Sequence, residues 1–182
     1  MTGAARPPAS SPDGGDARRC WLSIGSNLER ERSIRGGLLD LRAAYSELVL
    51  SPVYETVAVG FAGRPFLNLV AGIDTHEPVA AINARLRAIE DAHGRVRGPE
   101  KFAPRTLDID LLTWGDAAGT IDGYTLPRDE ILRYAFVLGP LADVAPDGRH
   151  PALGRSYGAL WRELGEQLQR EGGPLKPYPM LL

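Results

Sequence analysis

The feature that most constrains this chain is the order in which its apolar residues change from the spacing of a strand to that of a helix. Residues 20–24 form a short apolar run, whereas the apolar residues from Ile34 to Tyr45 recur at steps of four, three and four. The same reasoning along the chain predicts strand 20–24, helix 30–46, strand 48–56, strand 66–74, helix 78–94 and strand 106–114.

This β-α-β-β-α-β order is typical of two helices packed against an antiparallel sheet, the split βαβ or ferredoxin-like plan. We therefore predict an α+β fold with a ferredoxin-like β-α-β-β-α-β core and helices on the faces of an antiparallel sheet. Residues 115–155 lack such periodicity and predict a loop-rich C-terminal extension, which a last amphipathic helix follows.

The length of 182 residues predicts one domain. Its 21 glycines and 15 prolines, about a fifth of the chain, exclude a simple helical bundle. Residues 1–19 have too few apolar side chains to order themselves and predict a disordered tail. We expect the domain to span residues 20–170 and a second tail to span residues 171–182.

Charge and composition exclude several classes of protein. A net charge of −2 argues against a general binder of nucleic acid. One cysteine, Cys20, excludes an internal disulfide, and three scattered histidines argue against a histidine metal site. The longest mostly apolar run, residues 136–142, is too short to cross a membrane. We therefore expect a cytoplasmic protein that binds neither membrane nor nucleic acid.

Two carboxylates interrupt the apolar strand 106–114. Asp108 and Asp110 lie two residues apart, so they share one face of the strand while Leu107, Ile109 and Leu111 point to the other. Such a pair repels unless cations lie nearby, and hard oxygen ligands suit Mg²⁺ bound together with phosphates. The alternative is a solvated sheet face or ion pairs with nearby arginines.

A segment rich in arginine precedes that strand. Arg95, Arg97 and Arg105 lie close together, with Lys101 and Phe102 between them in a stretch that also contains glycine and prolines. Guanidinium groups bind phosphates and neutralise the charge that develops during phosphoryl transfer. A solvated basic loop is the alternative, but beside a carboxylate pair this segment indicates a phosphoryl-transfer site. No Walker motif is present, so nucleotide would be bound in another way.

Several motifs resemble those of one enzyme family. They are G-R-V-R, A-P-R-T-L-D-I-D-L-L, I-G-S-N-L, S-P-V-Y-E-T, F-L-N and F-V-L-G-P-L-A-D-V-A-P, which together cover roughly residues 20–165. In this order they resemble the 6-hydroxymethyl-7,8-dihydropterin pyrophosphokinases of folate biosynthesis. That resemblance implies transfer of the β,γ-pyrophosphoryl group of ATP to a reduced hydroxymethylpterin, release of AMP, two Mg²⁺ ions and a ferredoxin-like α+β fold.

The resemblance also implies roles on the nucleotide side. Asp108 and Asp110 are expected to hold both Mg²⁺ ions, and Arg95 and Arg105 to act as catalytic contacts with the phosphates. The residues expected to bind ATP are Glu90, Arg97, Phe102, Arg128 and Arg133. By itself, Glu90 would be an ordinary solvated helix residue.

On the pterin side, the resemblance implies that Asn68 hydrogen-bonds the pterin and that Phe136 stacks on it. Tyr54 and Phe66 are expected to line the pocket, and Thr56 to contribute backbone. Phe66 and Phe136 could instead be core residues. An amide inside a strand, as at Asn68, needs hydrogen-bonding partners, which a pterin edge supplies.

The sequence departs from the family pattern in several places, two of them among the positions that the resemblance assigns to the nucleotide side. Arg128 stands where the family usually has His, and Tyr134 where it usually has Arg, with Arg133 one residue earlier. Two alternatives to the family activity therefore stay open: a paralogue acting on a different reduced pterin, and a non-catalytic protein that binds pterin or nucleotide. A nucleic-acid-binding ferredoxin-like module is disfavoured, because Asp108 and Asp110 would repel phosphates without metal.

Overall fold

The computed structural model describes residues 17–58, 63–95 and 106–182. The core elements are β1 (Arg18–Ser26), α1 (Arg30–Tyr45), β2 (Val49–Leu50), β3 (Tyr54–Thr56), β4 (Phe66–Thr75), α2 (Val79–Ala92) and β5 (Asp108–Trp114). The remaining elements are β6 (Gly119–Ile121), β7 (Tyr124–Leu126), α3 (Glu130–Arg133), α4 (Ala135–Val144), α5 (Tyr157–Gly172) and β8 (Lys176–Pro177).

The main sheet has the strand order β5-β1-β4-β3-β8, and β2 also pairs with β4. All of these pairings are antiparallel. The first and last core strands, β1 and β5, are neighbours, and β4 lies between β1 and β3, which is the split βαβ arrangement. The predicted ferredoxin-like core is confirmed. The strand predicted over residues 48–56 is divided by Pro52 into β2 and β3.

The two faces of the sheet have separate hydrophobic clusters. On the first face, α1 and α2 pack against alternate strand residues such as Ile24, Leu69 and Ile109, which are almost completely buried. On the second face, Trp21, Val70 and Leu112 pack with α4 and α5. The sheet therefore lies between two helical layers.

The segment that the sequence predicts to be rich in loops contains the ten-residue helix α4. Gly139 and Pro140 are residues that ordinarily break helices. At Gly139, however, any side chain would collide with neighbouring residues, because a built Cβ would lie 2.4 Å from Leu175 and 3.2 Å from Trp161. Glycine at this position therefore allows the close approach of α5 and the chain that follows it. Seven of the ten residues are buried, so α4 lacks the polar stripe by which amphipathic helices are recognised.

The segments expected to be tails contribute to the sheet where they are described. β1 begins at Arg18, and β8 adds an edge strand beside β3. The backbone of Tyr178 also donates a hydrogen bond of 2.8 Å to the carbonyl of Val53. Residues 1–16 lie outside the described residues. Within the described ranges, no helix is both long enough and apolar enough to span a bilayer.

Candidate active site

The second face of the sheet carries a row of polar groups beyond the end of its apolar cluster. Gly25 of β1 pairs with Asn68 of β4 on one side and with Asp108 of β5 on the other, and Asn68 pairs with Tyr54 of β3. Directly paired residues point to the same side of a sheet, so these four positions form one line across four strands. Adjacent strands lie about 4.8 Å apart, which separates the Asn68 and Asp108 backbones by about 10 Å.

The predicted carboxylate pair lies on this face. Asp110 is two residues from Leu112, which belongs to the second-face cluster, and both carboxylate residues are partly exposed. The intervening Ile109 is buried on the first face and fixes the register of the pair. Alternation therefore holds Asp108 and Asp110 side by side on a rigid strand, where both are partly exposed.

Arg95 bridges this carboxylate pair to the end of α2. Its Nη1 donates to Oε1 of Glu90 at 2.7 Å, to the carbonyl of Leu107 at 3.2 Å, and also to Oδ1 of Asp108. The side chain of Arg95 is only 16% exposed. One guanidinium thus lies between two carboxylates at the border of the second face.

Glu90 is a buried anchor, only 5% exposed, rather than a solvated helix residue. Besides Arg95, its Oε1 accepts a 2.8 Å hydrogen bond from the backbone N–H of Ile109. Burial raises the pKa of the Glu90 carboxyl above its ordinary value, while the Ile109 hydrogen bond and the positive charge of Arg95 oppose that rise. The carboxylate joins α2 to β5 and holds Arg95 beside Asp108.

At the other end of the row, Asn68 and Thr56 form a buried pair, 5% and 4% exposed. Nδ2 of Asn68 donates to Oγ1 of Thr56 at 2.7 Å. This bond fixes the orientation of the amide and turns its Oδ1 toward the space above Gly25. The sequence predicts only a backbone contribution from Thr56, and the structure adds a side-chain contact.

Two aromatic residues lie at this end of the second face, and a third packs against the apolar cluster of that face. Phe66 and Tyr54 flank the Asn68–Thr56 pair by strand register, and the Tyr54 hydroxyl donates a 2.6 Å hydrogen bond to Oδ2 of Asp143 on α4. Desolvation, reinforced by this bond, raises the pKa of Tyr54 to about 12. Phe136, in the first turn of α4, packs against the second-face cluster.

Among the described residues, no group of three or more His, Cys, Asp or Glu side chains is arranged to hold a metal ion. Two neighbouring, partly exposed carboxylates nevertheless fit Mg²⁺, which usually takes one or two protein carboxylates and completes its shell with water and substrate phosphates. The donor set therefore fits a cation that is bound together with a phosphate ligand.

Comparison with known proteins identifies the family. Residues 21–146 match the family model described as 7,8-dihydro-6-hydroxymethylpterin-pyrophosphokinase (HPPK). The 2-amino-4-hydroxy-6-hydroxymethyldihydropteridine pyrophosphokinase of Pseudomonas aeruginosa is 40% identical over 139 residues, which cover 74% of this chain and 85% of that protein. The protein of the same name from Methylorubrum extorquens is 33% identical over 133 residues, covering 71% of this chain and 84% of that protein. This chain belongs to the HPPK family.

Solved structures agree with the fold. The crystal structure of Plasmodium falciparum HPPK-DHPS wild type with pteroate superposes with a TM-score of 0.65 at 14% identity, covering 89% of this chain and 45% of that one. The S436F/A437G/A613T triple mutant with pteroate gives a TM-score of 0.63 at 13% identity, covering 88% and 46%. This chain spans less than half the length of those solved chains, so the likeness concerns the HPPK fold alone.

Arg128, at a position where the resemblance implies His, is hydrogen-bonded to β5. The backbone N–H of Arg128 donates to the carbonyl of Leu112 at 2.9 Å. Its side chain donates twice to Glu130, at 3.0 and 2.7 Å. Those hydrogen bonds, with a contribution from the negative charge of Asp110, raise the pKa of Arg128 above its ordinary value.

Arg133 has different surroundings. It pairs with Asp129 at 3.0 Å, and its side chain is 59% exposed. It borders a surface cavity of about 330 Å³ whose other lining residues are Leu132, Tyr134, Leu164, Gln167, Leu168, Glu171 and Gly172. These residues lie in or next to α3 and α5, and neither Asp108 nor Asp110 is among them. The ring of Tyr134 stacks on Phe136, with centroids 5.0 Å apart and planes 14° apart.

The structure thus places Asp108 and Asp110 at one end of the second face, with Glu90 and Arg95 at its border and the Arg128 backbone bonded to β5. Tyr54, Thr56, Phe66 and Asn68 lie on the same face in β3 and β4. Arg97, Phe102 and Arg105 lie outside the described residues. Sequence reasoning missed Glu130, which anchors Arg128, and Asp143, which anchors Tyr54. Glu130 lies outside the quoted motifs and binds Arg128 through a short turn. Asp143 lies within F-V-L-G-P-L-A-D-V-A-P, but its partner is 89 residues away, so the motif does not predict the contact.

Proposed function

We propose that this chain transfers the β,γ-pyrophosphoryl group of ATP to the hydroxymethyl oxygen of 6-hydroxymethyl-7,8-dihydropterin in folate biosynthesis. The oxygen of the pterin forms a bond to the β-phosphorus of ATP. The bond from that phosphorus to the α,β-bridging oxygen breaks, AMP leaves with the electron pair, and the hydroxyl proton is released. The observation that carries the proposal is the cross-strand row joining Asn68 to Asp108 on a partly open sheet face.

Asn68 supplies recognition of the pterin. Its amide is held by Thr56 with Oδ1 directed toward Gly25, so Oδ1 can accept a hydrogen bond from an N–H at the pterin edge. A fixed amide costs less conformational entropy on binding than a mobile one. We assign stacking to Phe136 and lining of the pocket to Tyr54 and Phe66.

The other end of the row holds the phosphates. Asp108 and Asp110 are the residues that would hold Mg²⁺ with ATP, and we propose two ions. When bound, Mg²⁺ supplies neutralisation of the phosphate charge and a template for in-line transfer. ATP and the pterin then lie over β5 and β4, the two strands that flank β1, which places the reacting oxygen close to the phosphate chain.

Arg95 lies where it can stabilise the transferring group. Glu90 holds it at the border of the carboxylate pair, so the guanidinium needs little movement to reach a phosphate bound at Asp108. We assign a second phosphate contact to Arg105, and ATP contacts to Glu90, Arg97, Phe102, Arg128 and Arg133. A cytoplasmic location stays a prediction.

The test is formation of AMP by the purified full chain with ATP, Mg²⁺ and 6-hydroxymethyl-7,8-dihydropterin, followed by chromatography. We expect equal amounts of AMP and pterin diphosphate, and neither product with EDTA or with a dihydropterin that lacks the hydroxymethyl group. AMP formed only with another reduced pterin would favour the divergent paralogue. Absence of AMP with every reduced pterin would contradict the proposal and favour a non-catalytic binding protein.

A further inference from the structure

His93 joins the end of α2 to α1. It follows α2 directly, and its Nε2 lies 2.8 Å from Oδ2 of Asp40 on α1. An ionised carboxylate can only accept, so Nε2 is the donor of this hydrogen bond. The imidazole is 23% exposed and the carboxylate 48%, and so exposed a pair contributes little to stability. The position of the bond is therefore its more informative property.

Helix α1 has a glycine where the imidazole packs against it. Asp40 lies one turn beyond Gly36 on the same side of α1, and the ring of His93 fills the place that a side chain at Gly36 would take. A built Cβ there would lie 3.0 Å from Nδ1 and closer still to Cε1. Glycine weakens a helix interior relative to alanine, so its presence reflects the contact with His93 rather than the needs of α1.

The next residue, Gly37, allows a second close approach. A built Cβ at Gly37 would lie 2.7 Å from Cδ2 of Leu107. Leu107 is fully buried, and its carbonyl accepts the 3.2 Å hydrogen bond from Nη1 of Arg95. Helix α1 therefore packs against one residue on each side of Arg95 in the sequence, His93 before it and Leu107 after it.

A tight turn connects His93 to the guanidinium of Arg95. Gly94 has a φ of 74°, in the left-handed region that commonly ends a helix. The N–H groups of His93 and Arg95 both donate to the carbonyl of Glu90, each at 3.1 Å. The carboxylate of the same glutamate holds the guanidinium at 2.7 Å. Helix ends fray, so a side chain that holds this last turn against α1 also steadies the group that projects from it.

We infer that His93, packed on Gly36 and bonded to Asp40, is a positioning residue that holds Arg95 for pyrophosphoryl transfer. The inference rests on the proposed function, because Arg95 is assigned there to stabilisation of the transferring group. His93 acts through that guanidinium and needs no contact with either substrate. A displacement of about 1 Å in a group aimed at the reacting centre can lower a rate about 10²-fold.

Asp40→Ala is the principal test, because it removes the partner of His93 from a half-exposed surface and leaves the sequence of α2 intact. We expect the rate of pyrophosphoryl transfer in a single turnover, with saturating Mg²⁺-ATP and pterin, to fall about tenfold. The Kd for a non-hydrolysable Mg²⁺-ATP analogue, measured by calorimetry, should stay within about twofold of the wild type. Tm should stay within about 3 °C.

Two aspartate variants serve as controls. Asp40→Asn, whose amide oxygen can still accept from Nε2 of His93, should restore most of the rate. Asp74→Ala should leave the rate unchanged. Asp74 is 52% exposed and is bonded to Arg19 at the far end of the sheet, so it matches Asp40 in exposure and in having a charged partner.

Gly36→Ala displaces the imidazole without removing either partner. It should lower the transfer rate about as much as Asp40→Ala, although alanine is the better helix former and Tm should not fall. In a His93→Ala background the ring is gone, so Gly36→Ala should leave the rate of that background unchanged.

Two further measurements separate positioning from a general loss of structure. In an Arg95→Ala background, Asp40→Ala should lower the transfer rate no further, because His93 acts through that guanidinium. Hydrogen exchange of the Arg95 amide should be about tenfold faster in Asp40→Ala than in the wild type, and this readout does not depend on catalysis.

An Asp40→Ala variant that keeps the wild-type transfer rate overturns the inference, and so does an equal fall in the Arg95→Ala background. Failure of Asp40→Ala to fold, or a large fall of its Tm, would assign the pair to stability and overturn the inference as well. If the wild type itself forms no AMP, the proposed function fails instead, and hydrogen exchange then decides whether His93 holds Arg95.

Discussion

The two faces of the sheet are built from the same strands but differ in what covers them. On the first face, residues such as Ile24, Leu69 and Ile109 are covered by α1 and α2 and are at most 4% exposed. On the second face, α4 and α5 cover only Trp21, Val70 and their neighbours. Beyond that cluster the same strands carry Asn68, Gly25, Asp108 and Asp110. The first face is completely packed with apolar residues, whereas the second face is packed only in part and carries polar groups in the remainder.

The difference shows what each kind of surface requires. Buried apolar groups need only dense packing, whereas a buried amide or carboxylate needs a hydrogen-bonding partner. Asn68 has Thr56, and Glu90 has Arg95 and the Ile109 backbone. We therefore expect substitutions on the first face to change stability and those among the polar groups of the second face to change catalysis.

The largest effect is expected on the first face. Leu69 is fully buried in the cluster under α1 and α2, so Leu69→Ala should lower the free energy of unfolding by about 2–5 kcal/mol. Urea denaturation measures this loss, and kcat and the pterin KM of the folded variant should equal those of the wild type. A raised pterin KM would contradict the separate roles of the two faces. Leu69 makes this a strict test, because it is adjacent to Asn68 in β4.

Asp110→Ala makes the corresponding test on the second face. Loss of a carboxylate that we assign to Mg²⁺ should lower kcat by about 10²–10³-fold, with little change in Tm. Rates of AMP formation at saturating Mg²⁺ measure the effect. Asp147→Ala, at an exposed aspartate outside the sheet, is the control and should retain full activity. A variant with near wild-type kcat would remove Asp110 from the metal site.

The elements of the sheet could be predicted because local periodicity reports which face is buried. Alternation in β5 placed Asp108 and Asp110 on one side and Ile109 on the other, and the structure agrees. Helix α4 could not be predicted in the same way. It is buried on almost every side, so it has no amphipathic period, and its Gly139 and Pro140 indicate a loop unless the packing of α5 is known.

The contacts within the site were less predictable than its residue types. That Asn68 needs a partner follows from its place in a strand, but Thr56 becomes that partner only through the register of β3 on β4. Glu90 was expected as an ATP contact on resemblance alone. Its burial depends on the end of α2 meeting β5, which no local pattern encodes.

Thr56→Val tests the contribution of one hydrogen bond on the second face, the bond between Asn68 and Thr56. Valine has the shape of threonine but cannot accept from Nδ2 of Asn68, so the buried donor loses its partner and the amide its orientation. We expect the pterin KM to rise about tenfold while the KM for ATP stays unchanged.

Thr56→Ser, which keeps the hydroxyl, should restore most of the pterin affinity. An equal rise of KM in the serine and valine variants would show that the methyl group of Thr56 matters and that its hydroxyl does not. That outcome would remove Thr56 as a positioning residue and leave it a packing residue of the second face.

The smallest effect on stability is expected at Glu130. Its carboxylate is bonded to Arg128, and Arg128 in turn interacts with the charge of Asp110. The two hydrogen bonds from Arg128 lower the pKa of Glu130 from 4.5 to about 2. The Glu130 carboxylate therefore binds a proton more readily in the unfolded chain than in the folded one. The ion pair stabilises the fold above pH 4.5 and loses its effect as the pH falls toward 2.

Both side chains are about one-third exposed, so Glu130→Gln should lower the free energy of unfolding by about 0.2–1 kcal/mol at pH 7. Urea unfolding at pH 7 and pH 3 measures it, with Glu163→Gln at an exposed pair on α5 as the control. If Glu130→Gln lowers the free energy of unfolding equally at pH 7 and pH 3, the loss does not come from the ionised pair.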